Sequence, residues 1–232
     1  TPKEEAEYQE LLLDFEGFIE KNLENANTTY TDPLVKTLRL RQWCCTPNLF
    51  GGEKGSKYET LLDILNQTQD NVLIFCFFEE VISRLGNWLS TDTEYNQEAL
   101  ISGKVESELR QKRVEDFNAG KLGRIFLSTD AGNQGINLTS VGTVIHFDQL
   151  FNPQKMHQRE DRAHRIGQKG TVNVINLLCL DTIDHGMWQL NREREQLFEE
   201  VVEGAEEAII KKISPSRWKR IAEGRLNESR ED

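Results

Sequence analysis

Apolar residues recur along this chain with two different periods, and the switch between them divides it into three stretches. Over the first fifty residues the spacing is helical. Thr1-Pro2-Lys3-Glu4 has the form of a capping box with proline at the first helical position. Leu11, Leu12, Phe15, Phe18 and Ile19 then make an apolar stripe that predicts a helix to about Leu23. Asp32-Pro33 opens a second helix through Leu34, Val35, Leu38 and Trp43, which should stop before Pro47. Gly51 to Gly55 reads as a loop.

From Ser56 onward the pattern changes. Ser56 and Glu59 form another capping box ahead of Leu61, Leu62, Ile64 and Leu65. The continuous run Val72 to Phe77 is short, β-branched and aromatic, as expected of a strand buried on both faces. Helices are predicted over about 79–89 and 106–119, the latter ended by Gly120. Strands are predicted at Ala99–Ile101, Arg124–Ser128, Thr143–Phe147 and Val172–Leu178, and Asn152-Pro153 begins a helix running to about Arg165. Short apolar strands alternating with amphipathic helices predict an α/β fold with a mainly parallel sheet covered on both faces. The expected division is N-terminal helices over 1–50, a sheet domain over 51–185 and a helical extension over 186–232. Ligands of such sheets bind at the carboxyl ends of the strands, so the loops after Cys76, Ile101, Ser128 and Phe147 make the expected working edge.

Composition narrows the setting. The chain has 232 residues, 37% of them hydrophobic, enough for a sizeable core. No apolar run is long enough to span a bilayer, and the first twenty residues are acidic, so neither a membrane partner nor a secretory signal is expected. Cys44, Cys45, Cys76 and Cys179 show no C-x-x-C spacing, which points to small buried hydrophobes in a reducing compartment. His146, His157, His164 and His185 form no metal-spaced cluster, and no metal site is expected.

Charge matters through its distribution. The formal net charge of −11 argues against nucleic-acid binding when taken alone. Residues 1–25 hold eight acids and two bases, and residues 193–207 hold seven acids and one base. Residues 155–169 instead hold five bases and two acids, and residues 211–225 hold six bases and one acid. The acidic runs are read as solvated helix faces and the basic ones as places where an anion could dock.

The most informative segment is Gln158-Arg159-Glu160-Asp161-Arg162-Ala163-His164-Arg165-Ile166-Gly167-Gln168-Lys169. On a helix reaching Arg165, Arg162 and Arg165 share a face, and Gln158 joins it. Two guanidiniums on one face offer a rigid set of donors for phosphate oxygens. Intrahelical contacts of Asp161 with Arg165 and Gln158 with Arg162 are the ordinary alternative, but they leave the whole string unexplained. A second segment, Ser128-Thr129-Asp130-Ala131-Gly132-Asn133-Gln134-Gly135-Ile136-Asn137-Leu138, follows a predicted strand. Its glycines allow backbone amides close to an anion, and Ser128, Thr129 and Asn133 could donate to phosphate oxygens, although an ordinary turn would use the same residues. The chain lacks a G-x-x-x-x-G-K-S/T phosphate loop and an acidic pair at a strand end suited to magnesium. It offers phosphate stabilisation without a means of holding ATP and magnesium, half of an active site.

Together the two segments resemble motifs V and VI of superfamily-two ATPases, most closely those of the Swi/Snf branch. Ser128 to Leu138, Asp148 with Asn152-Pro153, and Gln158 to Gln168 match that branch in order and spacing, and Leu40-Arg41-Gln42 with Cys44-Cys45 and Pro47 is similar to its approach to this lobe. The resemblance spans roughly residues 35–185. DEAD-box RNA helicases are the nearest rival, but they carry arginines after the Ile-Gly, where this chain has Gln168 and Thr171. The resemblance implies a RecA-like three-layer sandwich serving as the second lobe of a duplex-DNA-dependent ATPase. It implies Arg162 and Arg165 as arginine fingers, Gly135 and Gln158 near the nucleotide cleft, and Ser128, Thr129 and Asn133 facing the nucleic-acid backbone or coupling it to the nucleotide. ATP and Mg2+ would be held mainly by a first RecA-like lobe of the same polypeptide, in a bacterial cytoplasm or a eukaryotic nucleus. Cys76 departs from the family's usual Phe-Ser-Gln-Phe by removing a hydroxyl, and Asp130 stands where a base is frequent. The alternatives are an RNA-directed helicase lobe and a RecA-like docking module without motor activity. The basic segment from Lys211 to Arg225 either braces the first lobe, touches DNA or is an ordinary amphipathic helix.

Overall fold

The apolar run at 72–77 forms the centre of the sheet, where it is buried on both sides. A computed structural model describes residues 1–22, 31–51, 54–95, 99–132, 136–164, 170–197 and 213–226. Strand β1 (Asn71–Phe75) pairs in parallel with β3 (Ile125–Ser128) on one side and β4 (Val141–His146) on the other. β2 (Ala99–Ile101) adds beyond β3, and β5 (Asn173–Asn176) beyond β4, giving the order β2-β3-β1-β4-β5 with every pair parallel. α3 (Ser56–Gln67) leads into β1, and between the strands run α4 (Glu79–Asp92), α5 (Ser107–Asn118) and α6 (Pro153–Glu160). The expected RecA-like α/β sheet is present. Asn71 apart, β1 is wholly buried, as a strand covered on both faces must be. Leu73, Phe75, Phe126 and Val144 pack with Val114 and Phe117 of α5. β5 is the exposed edge, with Val174 open to solvent.

The register sets up the working edge. Phe75 lies opposite both Ser128 and His146, Ser128 opposite Ile101, and His146 opposite Asn176. The last residues of all five strands therefore form one row.

By backbone contacts the chain divides into two units. The sheet unit comprises Tyr58–Asp148 and Gln154–Leu177, and the other comprises Thr1–Lys57, Gln149–Pro153 and Leu178–Asp232. The second unit is helical: α1 (Pro2–Asn22), α2 (Thr31–Cys45), a 3-10 turn at Pro47–Phe50, α7 (Ile183–Leu197) and α8 (Pro215–Ala222). Its core joins Tyr8, Leu12, Phe15 and Ile19 of α1, Leu40 and Trp43 of α2, Met187 and Leu190 of α7, and Trp218 of α8. The Tyr8 hydroxyl donates to the Ala222 carbonyl and accepts the Ile183 amide, both at 2.7 Å, tying three helices at one atom. Ser214 caps α8 by accepting the Arg217 amide at 3.3 Å. No described helix is long and apolar enough to cross a membrane.

One element differs from expectation. The helix predicted to reach Arg165 ends at Glu160, and residues 161–163 form a turn. The Asp161 amide still bonds to the His157 carbonyl, but Arg162 and Ala163 tighten to bonds three residues back, at 3.2 and 2.9 Å. Two tertiary demands cause this. Ala163 is drawn into the sheet core, and the Arg162 carbonyl accepts the Leu138 amide at 3.0 Å. Arg162 therefore leaves the helical face that Gln158 occupies. Arg165 lies outside the described residues, as do Asn133, Gly135, the centre of the Gly51–Gly55 loop, residues 198–212 and the start of the basic segment at Lys211.

Candidate functional site at the carboxyl edge of the sheet

The edge is organised by a residue the sequence did not single out. Arg159 is wholly buried, and its guanidinium reaches the ends of two strands. Nε donates to Asp130 Oδ1 at 2.7 Å and Nη2 to Asp130 Oδ2 at 2.6 Å, a two-point grip on the segment after β3. Nη2 also donates to Asp148 Oδ1 at 3.2 Å and Nη1 to the Asp148 carbonyl at 3.3 Å, just beyond β4. Asp148 Oδ1 accepts the Phe77 amide at 3.1 Å, which brings in the loop after β1. The cation also lies over the Phe75 ring, 5.5 Å from its centroid. Burial opposes the charge on Arg159, but Asp148 and then Asp130 outweigh it and hold the guanidinium protonated more firmly than usual.

This explains Asp130, the acid that stands where the resemblance led a base to be expected. Its carboxylate is the buried arginine's counter-ion. The sheet brings Asp130 and Asp148 together, but Arg159 stands between them and satisfies their charge. Their signal in the sequence was an acid just after each of two apolar strands. The signal for Arg159 was its place with Met156 and Ala163 at i, i+3 and i+7, a stripe that is buried here.

The segment after β3 is held from within. Ser128 and Thr129 are both buried. The Ser128 hydroxyl lies 3.1 Å from the Thr129 carbonyl, to which it donates. The Thr129 amide donates to the Ile101 carbonyl at 3.0 Å, and the Gly132 amide reaches the Thr129 carbonyl at 3.1 Å and hydroxyl at 3.3 Å. A side chain at Gly132 would put its Cβ 2.6 Å from Ile101 Cγ2 and 2.8 Å from the Ile101 carbonyl, so the glycine is required by close approach of β2. Further on, Asn118 donates to the Asn137 carbonyl at 2.8 Å and Leu138 bonds to Arg162.

Gln158 of α6 is exposed, and Arg162 in the turn that follows is half-buried. Glu160 lies 3.2 Å from His146 Nε2 and 3.3 Å from His157 Nδ1. Burial pulls the Glu160 carboxyl upward, but its bonds to the two imidazoles prevail and leave it below the usual range. His146 is buried at the end of β4, and burial pushes its pKa down despite Glu160. Burial thus favours the neutral ring, with Nε2 the nitrogen that faces the Glu160 carboxylate. The structure thus unites the segments around Ser128, Thr129, Asp130, Asp148, Gln158 and Arg162 on one edge.

Residues 56–167 match the family model of the helicase conserved C-terminal domain. Over 96% of this chain the fold superposes on a Sulfolobus solfataricus SWI2/SNF2 ATPase core in complex with dsDNA, with a TM-score of 0.79 and 26% identity, covering 48% of that chain. This chain is a C-terminal lobe of the Swi/Snf-type helicase-like ATPases. The Swi/Snf lobe also superposes on the S. solfataricus SWI2/SNF2 ATPase C-terminal domain, with a TM-score of 0.75 and 23% identity over 96% of this chain and 94% of that one. By sequence it is 33% identical over 189 residues to the ATP-dependent helicase FUN30 of Saccharomyces cerevisiae, matching 74% of this chain and 16% of that protein. The lobe spans only 10–20% of the length of curated relatives such as these.

Proposed function

We propose that this Swi/Snf lobe is the second half of a duplex-DNA-dependent ATPase and translocase, inactive in ATP hydrolysis without its first lobe. The observation that carries this is the Arg159 clamp, which fixes the segments after β3 and β4, the α6 helix bearing Gln158 and the turn after it bearing Arg162 as one edge. Arg162 and Arg165 act as arginine fingers. Bound ATP and Mg2+ supply the reacting phosphate and its charge neutralisation, and the first lobe holds them, since Asp130 and Asp148 are taken up by Arg159. The guanidiniums of this lobe meet the charge that develops on the phosphate oxygens. Gly135 and Gln158 border the nucleotide cleft. Buried Ser128 and Thr129 shape the loop that couples it to the DNA backbone, and Asn133 makes the backbone contact. The protein grips phosphates without reading bases. Such substrates place it in a cytoplasm or a nucleus. The SWI2/SNF2 core solved with dsDNA supports duplex DNA as the partner.

The test is ATP hydrolysis by the two-lobed protein with duplex DNA. Arg162→Ala and Arg165→Ala are each expected to lower turnover by about 10³-fold or more, and the isolated lobe is expected to be silent. Stimulation by RNA in place of duplex DNA would make it an RNA-directed helicase. A parent whose turnover ignores both arginines would leave only a docking module.

A further inference from the structure

Within the helical unit, the proposed motor chemistry leaves one buried polar cluster unused. Cys44 on α2, Cys179 in the turn ahead of α7, and Asp184 at the start of α7 have their sulfur and carboxylate atoms within 4.8 Å of one another. The Lys57 ammonium is ion-paired with Asp184, both side chains almost wholly buried. That ammonium already supplies the positive charge a metal would bring, so three donor groups here do not call for a cation. The two sulfurs are the unexplained part. Cys179 Sγ lies 3.3 Å from the Cys44 carbonyl, Cys44 Sγ lies 3.4 Å from Thr182 Oγ1, and the Thr182 hydroxyl donates to the Cys179 carbonyl at 2.7 Å. The pair is asymmetric in access. Cys44 is buried, whereas Cys179 is partly open and lines a groove of about 580 Å³ with Leu12, Trp43, Leu180 and Asp181.

We propose that Cys179 and Cys44 are a peroxide-responsive dithiol that closes to an intrachain disulfide, joining α2 to the turn ahead of α7. The Cys179 thiolate attacks one oxygen of hydrogen peroxide and the O–O bond breaks. This gives a sulfenic acid on Cys179 and a hydroxide that is protonated to water. The Cys44 sulfur then attacks the Cys179 sulfur. The S–S bond forms as the S–O bond breaks, and the Cys44 proton leaves with the hydroxyl as a second water. Two thiols lose two electrons, and one peroxide becomes two waters.

The electrostatics assign the same roles. A hydrogen bond from Cys44 holds the Cys179 thiol below its ordinary pKa, with Lys57 assisting against the effect of burial. Burial pushes the Cys44 thiol well above its own. The partly open sulfur is therefore the attacking nucleophile and the buried one waits as the resolving thiol. In a reducing compartment the resting state is the dithiol, and the bridge reports transient oxidation. It would close a loop between residues 135 apart in sequence and raise the melting temperature by roughly 5 °C or more.

The test is treatment of the folded 232-residue chain with hydrogen peroxide, followed by alkylation and peptide mapping without reduction. A Cys44–Cys179 linked peptide is expected, removable by dithiothreitol, with Cys45 and Cys76 recovered as free thiols. In Cys44→Ser, Cys179 should be trapped as sulfenic acid by dimedone. Four unreacted thiols, Cys179 oxidised to sulfinic acid beside a free Cys44 in the unmutated chain, or linkage of Cys44 to Cys45 would overturn the proposal.

Discussion

A buried guanidinium is tolerated only when its charge and its donors are matched, and Arg159 shows how completely an edge can be organised around that demand. Asp148 is as buried as the arginine, whereas Asp130 is 30% exposed, so the two counter-ions are not equivalent. Arg159→Ala strands the Asp148 charge and is expected to cost about 3–5 kcal/mol, read as a lower urea midpoint at unchanged slope. Asp130→Ala should cost roughly 1 kcal/mol, because solvent screens the carboxylate it removes. Asp130→Lys places a base at the position where the resemblance led one to be expected. Here it should lower the urea midpoint rather than tighten DNA binding, since it sets a second cation against Arg159. His146 makes a pH-dependent contribution beside this network. Its folded pKa lies below the ordinary value of 6.5, so the unfolded chain takes up its proton first as pH falls. Stability should therefore decline from about pH 7.5 downward through the unfolded pKa, with a slope of at most about 1.4 kcal/mol per pH unit from this one group. Glu160, with its carboxyl held low, contributes stability above its unfolded pKa of 4.5 and loses it only at more acid pH. His146→Gln should flatten the profile between about pH 5.5 and 7.5, and an unchanged profile would assign the slope elsewhere.

Elements were legible wherever local pattern and tertiary demand agree. The apolar run at 72–77 and the capped helices after Ser56 and Pro153 could be placed from sequence, because the same residues that favour the element also bury it. The end of α6 could not. Nothing between Glu160 and Arg165 breaks a helix locally, and the turn comes from Ala163 entering the core and Leu138 claiming the Arg162 carbonyl. Close approach of backbones is similarly hidden, and glycines show the contrast. A Cβ on Gly186 of α7 would stand 1.9 Å from the Ile221 carbonyl oxygen and 2.7 Å from its carbon, so α8 could not keep its place. Gly17 of α1 has nothing within 4 Å of that position. Gly186→Ala should destabilise by about 2–3 kcal/mol and speed proteolysis near α8. Gly17→Ala should instead be neutral or stabilising by roughly 0.5–1 kcal/mol, through helix propensity alone. Equal melting temperatures for the two variants would contradict the helix contact seen here.

At the scale of the whole chain, net charge and charge placement point in opposite directions, and the proposed function depends on placement. The string from Gln158 to Lys169 was recognisable in the sequence, whereas the Arg159 clamp was not, because its partners lie 29 and 11 residues away and only the sheet brings them together. That clamp also takes one base out of any contact with DNA. Of the five bases between Lys155 and Lys169, Arg159 is neutralised within the protein. A chain with a formal charge of −11 and so few available bases should contact only about two or three phosphates. Counter-ion release then gives a log–log slope of binding against salt of about −2 to −3. Titration of a labelled duplex with the isolated lobe across salt concentrations tests this directly. Weak binding with that slope is what a lobe sharing its grip with a partner should show. A slope near zero would remove the phosphate contacts on which the motor proposal relies. One steeper than about −5 would mean a basic surface wider than the edge described, with the residues from Lys211 to Arg225 the first place to look.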